Sequence, residues 1–100
     1  MINSQFGFEA QIHFLPTDFG GRRTPVYSGY RVQFYYDSNE GDVELTFINQ
    51  NTVNPGENVK ASLKFLFPEN HVNKISEGKV FLLREGRQVV GYGQVVSRSS

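Results

Sequence analysis

The chain of 100 residues has ten acidic and ten basic side chains, and it has no cysteine. This length suits one compact domain, residues 1–100, with a single core. The zero formal net charge excludes a global field that would steer the protein toward nucleic acid. The absence of cysteine excludes disulfides and thiolate metal sites, and it fits a cytoplasmic protein.

The chain opens with Met1 to Gln5, which have neither the charged start nor the apolar run of a signal peptide. No apolar stretch approaches the roughly 20 residues that span a bilayer. We therefore expect no leader and no membrane association.

The dominant sequence period is two, which is typical of strands with one buried face. In chain order the predicted strands cover residues 6–14, 31–36, 43–47, 59–67, 80–84 and 88–96. No segment has a convincing helical period. About six short strands with regular turns predict an all-β domain, closed or sandwiched. We favour closure because a closed barrel leaves no exposed edge strands.

Turn-forming residues separate these strands, and they tolerate a positive φ or preset a bend. Pro55 and Gly56 suit the two central positions of a type II turn. The predicted turns are Phe19-Gly20-Gly21, Ser28-Gly29, Asn39-Glu40-Gly41, Asn54-Pro55-Gly56 and Glu85-Gly86.

Two glycines, Gly91 and Gly93, lie on the same face of the last predicted strand. Glycine weakens a strand, so its presence there needs a reason. The structural interpretation is a tight barrel bend or a groove under a bulky neighbour such as a tyrosine. The functional alternative is a ligand that approaches the backbone.

Several motifs together resemble the C-terminal barrel domain of the elongation factor Tu family, over residues 6–96. They are Gly20-Gly21-Arg22, Thr24-Pro25, Gly29-Tyr30-Arg31, Gln33-Phe34-Tyr35, Pro55-Gly56 with Asn58-Val59-Lys60, and Arg84-Glu85-Gly86 with Val90-Gly91 and Gly93. The resemblance implies a six-stranded antiparallel closed β-barrel.

In the parent factor this domain helps hold the T stem of aminoacyl-tRNA, docks on the GTPase domain and meets the nucleotide exchange factor. By position, the resemblance places Arg22, Gln33, Glu85 and Gly86 at or near the surface facing tRNA and the GTPase domain. This implies a non-enzymatic module that works by binding.

The chain departs from the family pattern at several places. Arg23 stands where the bacterial factor commonly has histidine, and Phe67 stands where a basic residue is expected. The acidic run from Asp37 to Glu44 replaces a segment that contacts RNA, and carboxylates oppose phosphate binding. No glycine-rich phosphate loop with Lys-Ser/Thr occurs, so we expect no GTP binding.

The pair Arg22-Arg23 has two interpretations. An exposed tip between strands can capture an anion or phosphate, for which arginine provides forked contacts. Alternatively, the pair is a solvated turn whose arginines pair with Asp18 or Glu85, since exposed ion pairs are common and weak.

The segment from Arg84 to Arg87 is predicted as a tight hairpin with Glu85-Gly86 at its centre. Such a turn needs no function, but it adds two arginines to the side that the resemblance places near RNA. The predicted binding residues are thus Arg22, Arg23, Gln33, Arg84, Glu85, Gly86 and Arg87.

Other side chains give weaker indications. The tyrosines at positions 27, 30, 35 and 36 can stack bases, but such rings more often fill cores and rims. His13 on a polar strand face and His71 in a loop suggest neither catalysis nor a metal site. Acidic residues 37, 40, 42 and 44 fit a solvated hairpin better than a calcium loop. We predict no enzyme activity, cofactor or metal.

Three functional hypotheses remain open. The first is a stand-alone binding module, similar to the third domain of elongation factor Tu, that binds a protein partner. The second is binding of tRNA or other RNA through Arg22, Arg23, Arg84 and Arg87. The third is that the chain is an excised domain of a full-length translation GTPase.

Overall fold

The computed structural model describes residues 7–99, in which six antiparallel strands close into a barrel. Phe6 and residues 1–5, which entered the sequence predictions, lie outside the described residues. The barrel strands are β1 (Gly7–Phe14), β3 (Arg31–Tyr36), β4 (Asn39–Phe47), β6 (Asn58–Phe65), β7 (Val80–Glu85) and β8 (Gln88–Ser99), while β2 (Val26–Tyr27) and β5 (Thr52–Val53) form a separate two-stranded sheet.

The strands follow the order β1-β6-β4-β3-β7-β8, and β8 pairs with β1 to close the barrel. Two short 3-10 helices, Thr17–Phe19 and Pro68–Asn70, lie in the connections. The predicted six-stranded antiparallel closed barrel is therefore confirmed. Within the described part of the chain, no helix is both long and apolar enough to cross a membrane.

The alternating pattern places one face of every barrel strand in a common core. The rings of Phe8, Phe34, Phe65 and Phe81 meet there, and Phe34 stacks on Phe81 with 4.2 Å between ring centroids. This aromatic cluster holds the opposing walls of the barrel together. The outward residues of the same strands remain available for surface contacts.

Gly91 and Gly93 have a structural role. A Cβ atom on Gly93 would lie 2.3 Å from the carbonyl oxygen of Gln11 and 2.7 Å from a ring carbon of Phe81. A Cβ on Gly91 would lie 2.9 Å from the carbonyl oxygen of His13. The glycines thus allow close packing against β1 and Phe81, rather than under a tyrosine.

The turn between β3 and β4 differs from the prediction. We expected it at Asn39-Glu40-Gly41, but Tyr36 pairs directly with Asn39, so the turn is Asp37-Ser38. Both turn residues have positive φ, 47° and 65°, as a two-residue type I′ turn requires. The strand β4 consequently begins at Asn39, four residues before the predicted start.

The acidic run is therefore part of the β3–β4 hairpin, with Asp37 in the turn and the other acidic residues on β4, which agrees with the solvated-hairpin interpretation. Three of its four carboxylates pair with cations on neighbouring segments: Asp37 with Lys79, Glu40 with Arg84 and Glu44 with Arg31.

The turn at Pro55-Gly56 is as predicted. Gly56 has φ of 91°, and the backbone N–H of Glu57 donates to the carbonyl of Asn54 over 3.1 Å. These features are those of a type II turn with glycine at its third position.

Candidate functional site

Five of the seven predicted binding residues lie at the end of the barrel where β1 ends and β7 turns into β8. We call this surface the tip and define it as residues 17–23 together with residues 85–88. The Nε2 atom of Gln88 donates to the carbonyl of Gly20 over 2.7 Å. Gly20 has φ of 90°, and a Cβ on Gly21 would lie 2.0 Å from the carbonyl oxygen of Leu15. These contacts fix the loop against the hairpin.

Arg22 is held within the protein by several partners. Its guanidinium forms an ion pair with Glu85 and donates from Nη2 to the hydroxyl of Thr24 over 3.0 Å. It also lies 5.2 Å from the centre of the Tyr30 ring. The hydroxyl of Tyr30 donates to the same carboxylate oxygen of Glu85. Arg22 and Glu85 thus neutralise each other.

The electrostatics of this group follow from the contacts. Burial lowers the pKa of Arg22, but the hydrogen bond and charge of Glu85 outweigh it, so the pKa is raised from its ordinary value. Burial and the hydrogen bond to Glu85 also raise the pKa of Tyr30. Arg22 therefore stays charged and Tyr30 stays neutral at physiological pH.

Arg23 and Arg87 differ from Arg22. Both are exposed, and neither has an ion pair or side-chain hydrogen bond with any residue between positions 7 and 98. The solvated-turn interpretation expected the arginine pair to contact Asp18 or Glu85; Arg22 contacts Glu85, whereas Arg23 contacts neither. Arg23 and Arg87 are the tip's free cations.

The β7–β8 hairpin is shifted by one residue from the prediction. Glu85 pairs with Gln88, so the two turn residues are Gly86 and Arg87 rather than Glu85 and Gly86. Gly86 has φ of 61°, which places glycine at the first turn position. The shift puts Glu85 on the strand, where its side chain reaches Arg22, and puts Arg87 at the solvent-exposed turn.

Gln33 and Arg84 lie side by side on the outer faces of β3 and β7. Arg84 donates from Nε to the amide oxygen of Gln33 over 2.6 Å and from Nη2 to Glu40 over 2.9 Å. Its guanidinium also stacks on Tyr35, 4.0 Å from the ring centre. Gln33, Arg84, Glu85 and Gly86 line one shallow groove beside the tip. The structure thus brings all seven predicted residues to one region, but it uses two of the arginines internally.

The tyrosines do not form a continuous stacking surface. Tyr36 is buried, Tyr30 is held at Glu85, and Tyr35 is partly covered by Arg84. Tyr27 is the exposed one of these four rings. Their arrangement agrees with the interpretation as core and rim side chains.

The histidines have structural partners. Nδ1 of His13 is 2.6 Å from the amide oxygen of Asn58, and Nδ1 of His71 is 2.7 Å from the hydroxyl of Tyr36. Within residues 7–98, no group of three His, Asp or Glu side chains is placed to hold a metal ion.

Sequence reasoning missed several exposed apolar side chains. Phe19 is 78% exposed at the tip, although its position between Asp18 and Gly20 indicated only a turn. Val80, Leu82 and Tyr92 form an apolar outer band on β7 and β8. The uninterrupted apolar run Val80–Leu83 could have indicated this band, because a strand with one solvated face alternates between apolar and polar residues. The buried state of His71, which was expected only in a loop, was also missed.

Comparison with known protein families gives a match over nearly the whole chain. Residues 1–98 match the model of the elongation factor Tu C-terminal domain. The chain therefore belongs to this family, whose domain is a non-catalytic β-barrel related to translation.

Proposed function

For this member of the elongation factor Tu C-terminal domain family, we propose a non-enzymatic role in the cytoplasm, namely binding a protein partner through the tip. The proposal rests on a difference between the four arginines of this region: two are neutralised inside the protein and two are not. Arg22 and Arg84 are neutralised by Glu85 and Glu40, whereas Arg23 and Arg87 are exposed and free within the described part of the chain.

This difference between the arginines favours a protein partner over an RNA partner. Binding of RNA gains affinity from each phosphate that a cation neutralises. Among the described residues the tip offers only two free cations for that purpose, and it also carries the unpaired carboxylate of Asp18. A protein partner needs only a few charged contacts, and arginine is enriched in protein interfaces.

RNA binding is the second candidate. It is favoured by the joint position of Arg23 and Arg87 beside the groove lined by Gln33, Arg84, Glu85 and Gly86. Binding of tRNA through this surface would weaken steeply with salt, with a log–log slope of about −0.7 to −0.9 per phosphate neutralised. No measurable affinity for tRNA at low salt would contradict this candidate.

A pull-down with the full chain as bait tests the proposal. The informative variant is Arg23→Glu/Arg87→Glu, because neither side chain has an ion pair or hydrogen bond with residues 7–98 to lose. The control is Lys60→Glu/Lys64→Glu on β6, which makes the same charge change on exposed residues outside the tip and removes one surface ion pair, that of Lys60 with Glu9. We expect one specific protein to be recovered by the wild type and the control, with or without ribonuclease, and lost with the tip variant.

The other outcomes have defined meanings. Recovery that ribonuclease abolishes would support RNA binding instead. Equal recovery by the wild type and the tip variant would remove the tip from the proposed function, and no specific recovery by the wild type would contradict protein binding.

A further inference from the structure

Phe19 is the most exposed large apolar side chain among residues 7–98, at 78%. Its backbone is nevertheless fixed: the N–H of Phe19 donates to the carbonyl of Pro16 over 3.0 Å, and that of Gly20 donates to Thr17 over 3.1 Å. Burying such a ring would remove a large apolar surface from water, which is favourable. Within the described part of the chain, the ring remains in contact with solvent instead.

The charged surroundings of Phe19 are specific. Arg23 follows it by four residues, in a loop closed by the hydrogen bond from the Thr17 hydroxyl to the Arg22 carbonyl. Arg87 lies next to Gln88 in the sequence, and the Gln88 side chain donates a hydrogen bond to the carbonyl of Gly20. Within the described part of the chain, the exposed ring therefore shares the tip with two free guanidinium groups and one free carboxylate, that of Asp18, so positive charge predominates.

We infer that Phe19 is the anchor of the tip, and that the partner is a protein with an apolar pocket bordered by carboxylates. This inference rests on the proposed function. Aromatic and arginine side chains are the ones enriched at the centres of protein interfaces, and a few such residues carry most of the binding energy. The carboxylates complement Arg23 and Arg87, and the pocket complements the ring.

The rigidity of the tip supports the same inference. The ion pair between Arg22 and Glu85 and the hydrogen bond from Gln88 to Gly20 hold both loops before any partner binds. Binding then orders fewer backbone groups, which lowers its entropic cost. Arg22 and Glu85 act here as positioning residues, not as contacts to the partner.

A photo-crosslinking experiment tests the anchor. The full chain carries p-benzoylphenylalanine at position 19 or, as a control, at position 67. Phe67 is 70% exposed and follows β6 at the opposite end of the barrel. We expect a protein adduct from position 19 that is absent from position 67. Mass spectrometry should map it to an apolar pocket with Asp or Glu at its border.

An RNA adduct at position 19, equal protein adducts at both positions, or no adduct at position 19 would overturn the inference. The same holds for a mapped pocket bordered by basic residues.

Affinity measurements with the protein recovered in the pull-down separate this inference from the proposed function. We expect Phe19→Ala to weaken binding at least about tenfold, as interface anchors do, and Phe67→Ala to change it less than about twofold. A partner Asp→Arg or Glu→Arg change at the mapped pocket should restore binding to Arg23→Glu.

Unchanged affinity of Phe19→Ala would overturn the anchor while leaving protein binding intact. Failure of the wild type to recover any protein would contradict the proposed function itself.

Discussion

The imidazole of His71 lies flat on the ring of Phe65, with 4.0 Å between the ring centroids and 4° between the planes. His71 is only 7% exposed, and a Cβ on Gly41 would lie 2.5 Å from its Nε2 atom. Burial, assisted by the charge of Lys74, lowers the pKa of His71 below 6.5. The neutral imidazole is therefore the form that this site stabilises.

The first prediction concerns acid stability. Below pH 6.5 the unfolded chain binds a proton at His71 that the folded chain does not, so the free energy of unfolding falls as pH drops through this value. Between pH 7.5 and 5.5 the loss from this one group reaches at most about 1.4 kcal/mol, the limit for an imidazole that stays neutral in the folded chain. Urea denaturation should show that His71→Gln loses less stability over this range than the wild type.

The variant His13→Gln is the control for the acid prediction, since it removes the other histidine. The loss of stability on acidification should be smaller in His71→Gln than in this control. An equal loss in the wild type and in His71→Gln would show that His71 is not responsible.

A second prediction concerns barrel closure. In Gly93→Ala the new methyl group would clash with the backbone of Gln11 and with Phe81, so the free energy of unfolding should fall by about 1–3 kcal/mol or more. The control Gln11→Ala alters an exposed side chain on the same strand pair and should stay within about 0.5 kcal/mol. Unchanged stability of Gly93→Ala would reopen the ligand interpretation of the two glycines.

The third prediction tests the group that positions the tip. Tyr30→Phe removes a hydrogen bond to a charged carboxylate, so thermal or urea unfolding should show a loss of about 1.5–3 kcal/mol. Tyr27→Phe, which removes the hydroxyl of a more exposed ring, should have little effect. If both variants are equally stable, the contact between Tyr30 and Glu85 does not hold the tip.

A fourth prediction concerns the turn between β3 and β4. Ser38 has φ of 65°, a conformation that costs a non-glycine residue about 1 kcal/mol. Ser38→Gly should therefore raise the free energy of unfolding by about 0.5–1 kcal/mol, and Ser38→Val should lower it. The opposite order in urea denaturation would contradict the assignment of the turn.

The strands were predictable because each barrel strand buries one face, which leaves a period of two in the sequence. The turn at Asp37-Ser38 was missed because Gly41 attracts a turn prediction, whereas its lack of a side chain is needed for packing against His71. In the sequence, a glycine that forms a turn cannot be told from a glycine that allows close packing. Only the pairing of Tyr36 with Asn39 distinguishes them.

The site was predictable as a region but not in its details. Arg22 and Arg23 are adjacent, and nothing local tells which of them is neutralised. The deciding partner, Glu85, lies 63 residues further along the chain. Phe19 was missed for a related reason, since an isolated aromatic residue in a turn has no period that reveals whether the fold covers it.

The pairing of Gly7 with Ser99 closes the barrel at the end away from the tip. From there to Phe14 the strand β1 spans about 23 Å, at 3.3 Å per residue. A tether or fused domain joined near either of these residues would therefore leave Phe19, Arg23 and Arg87 pointing away from the attachment point. If the barrel is immobilised on a sensor surface or fused to a display scaffold, it should be attached near Gly7 or Ser99.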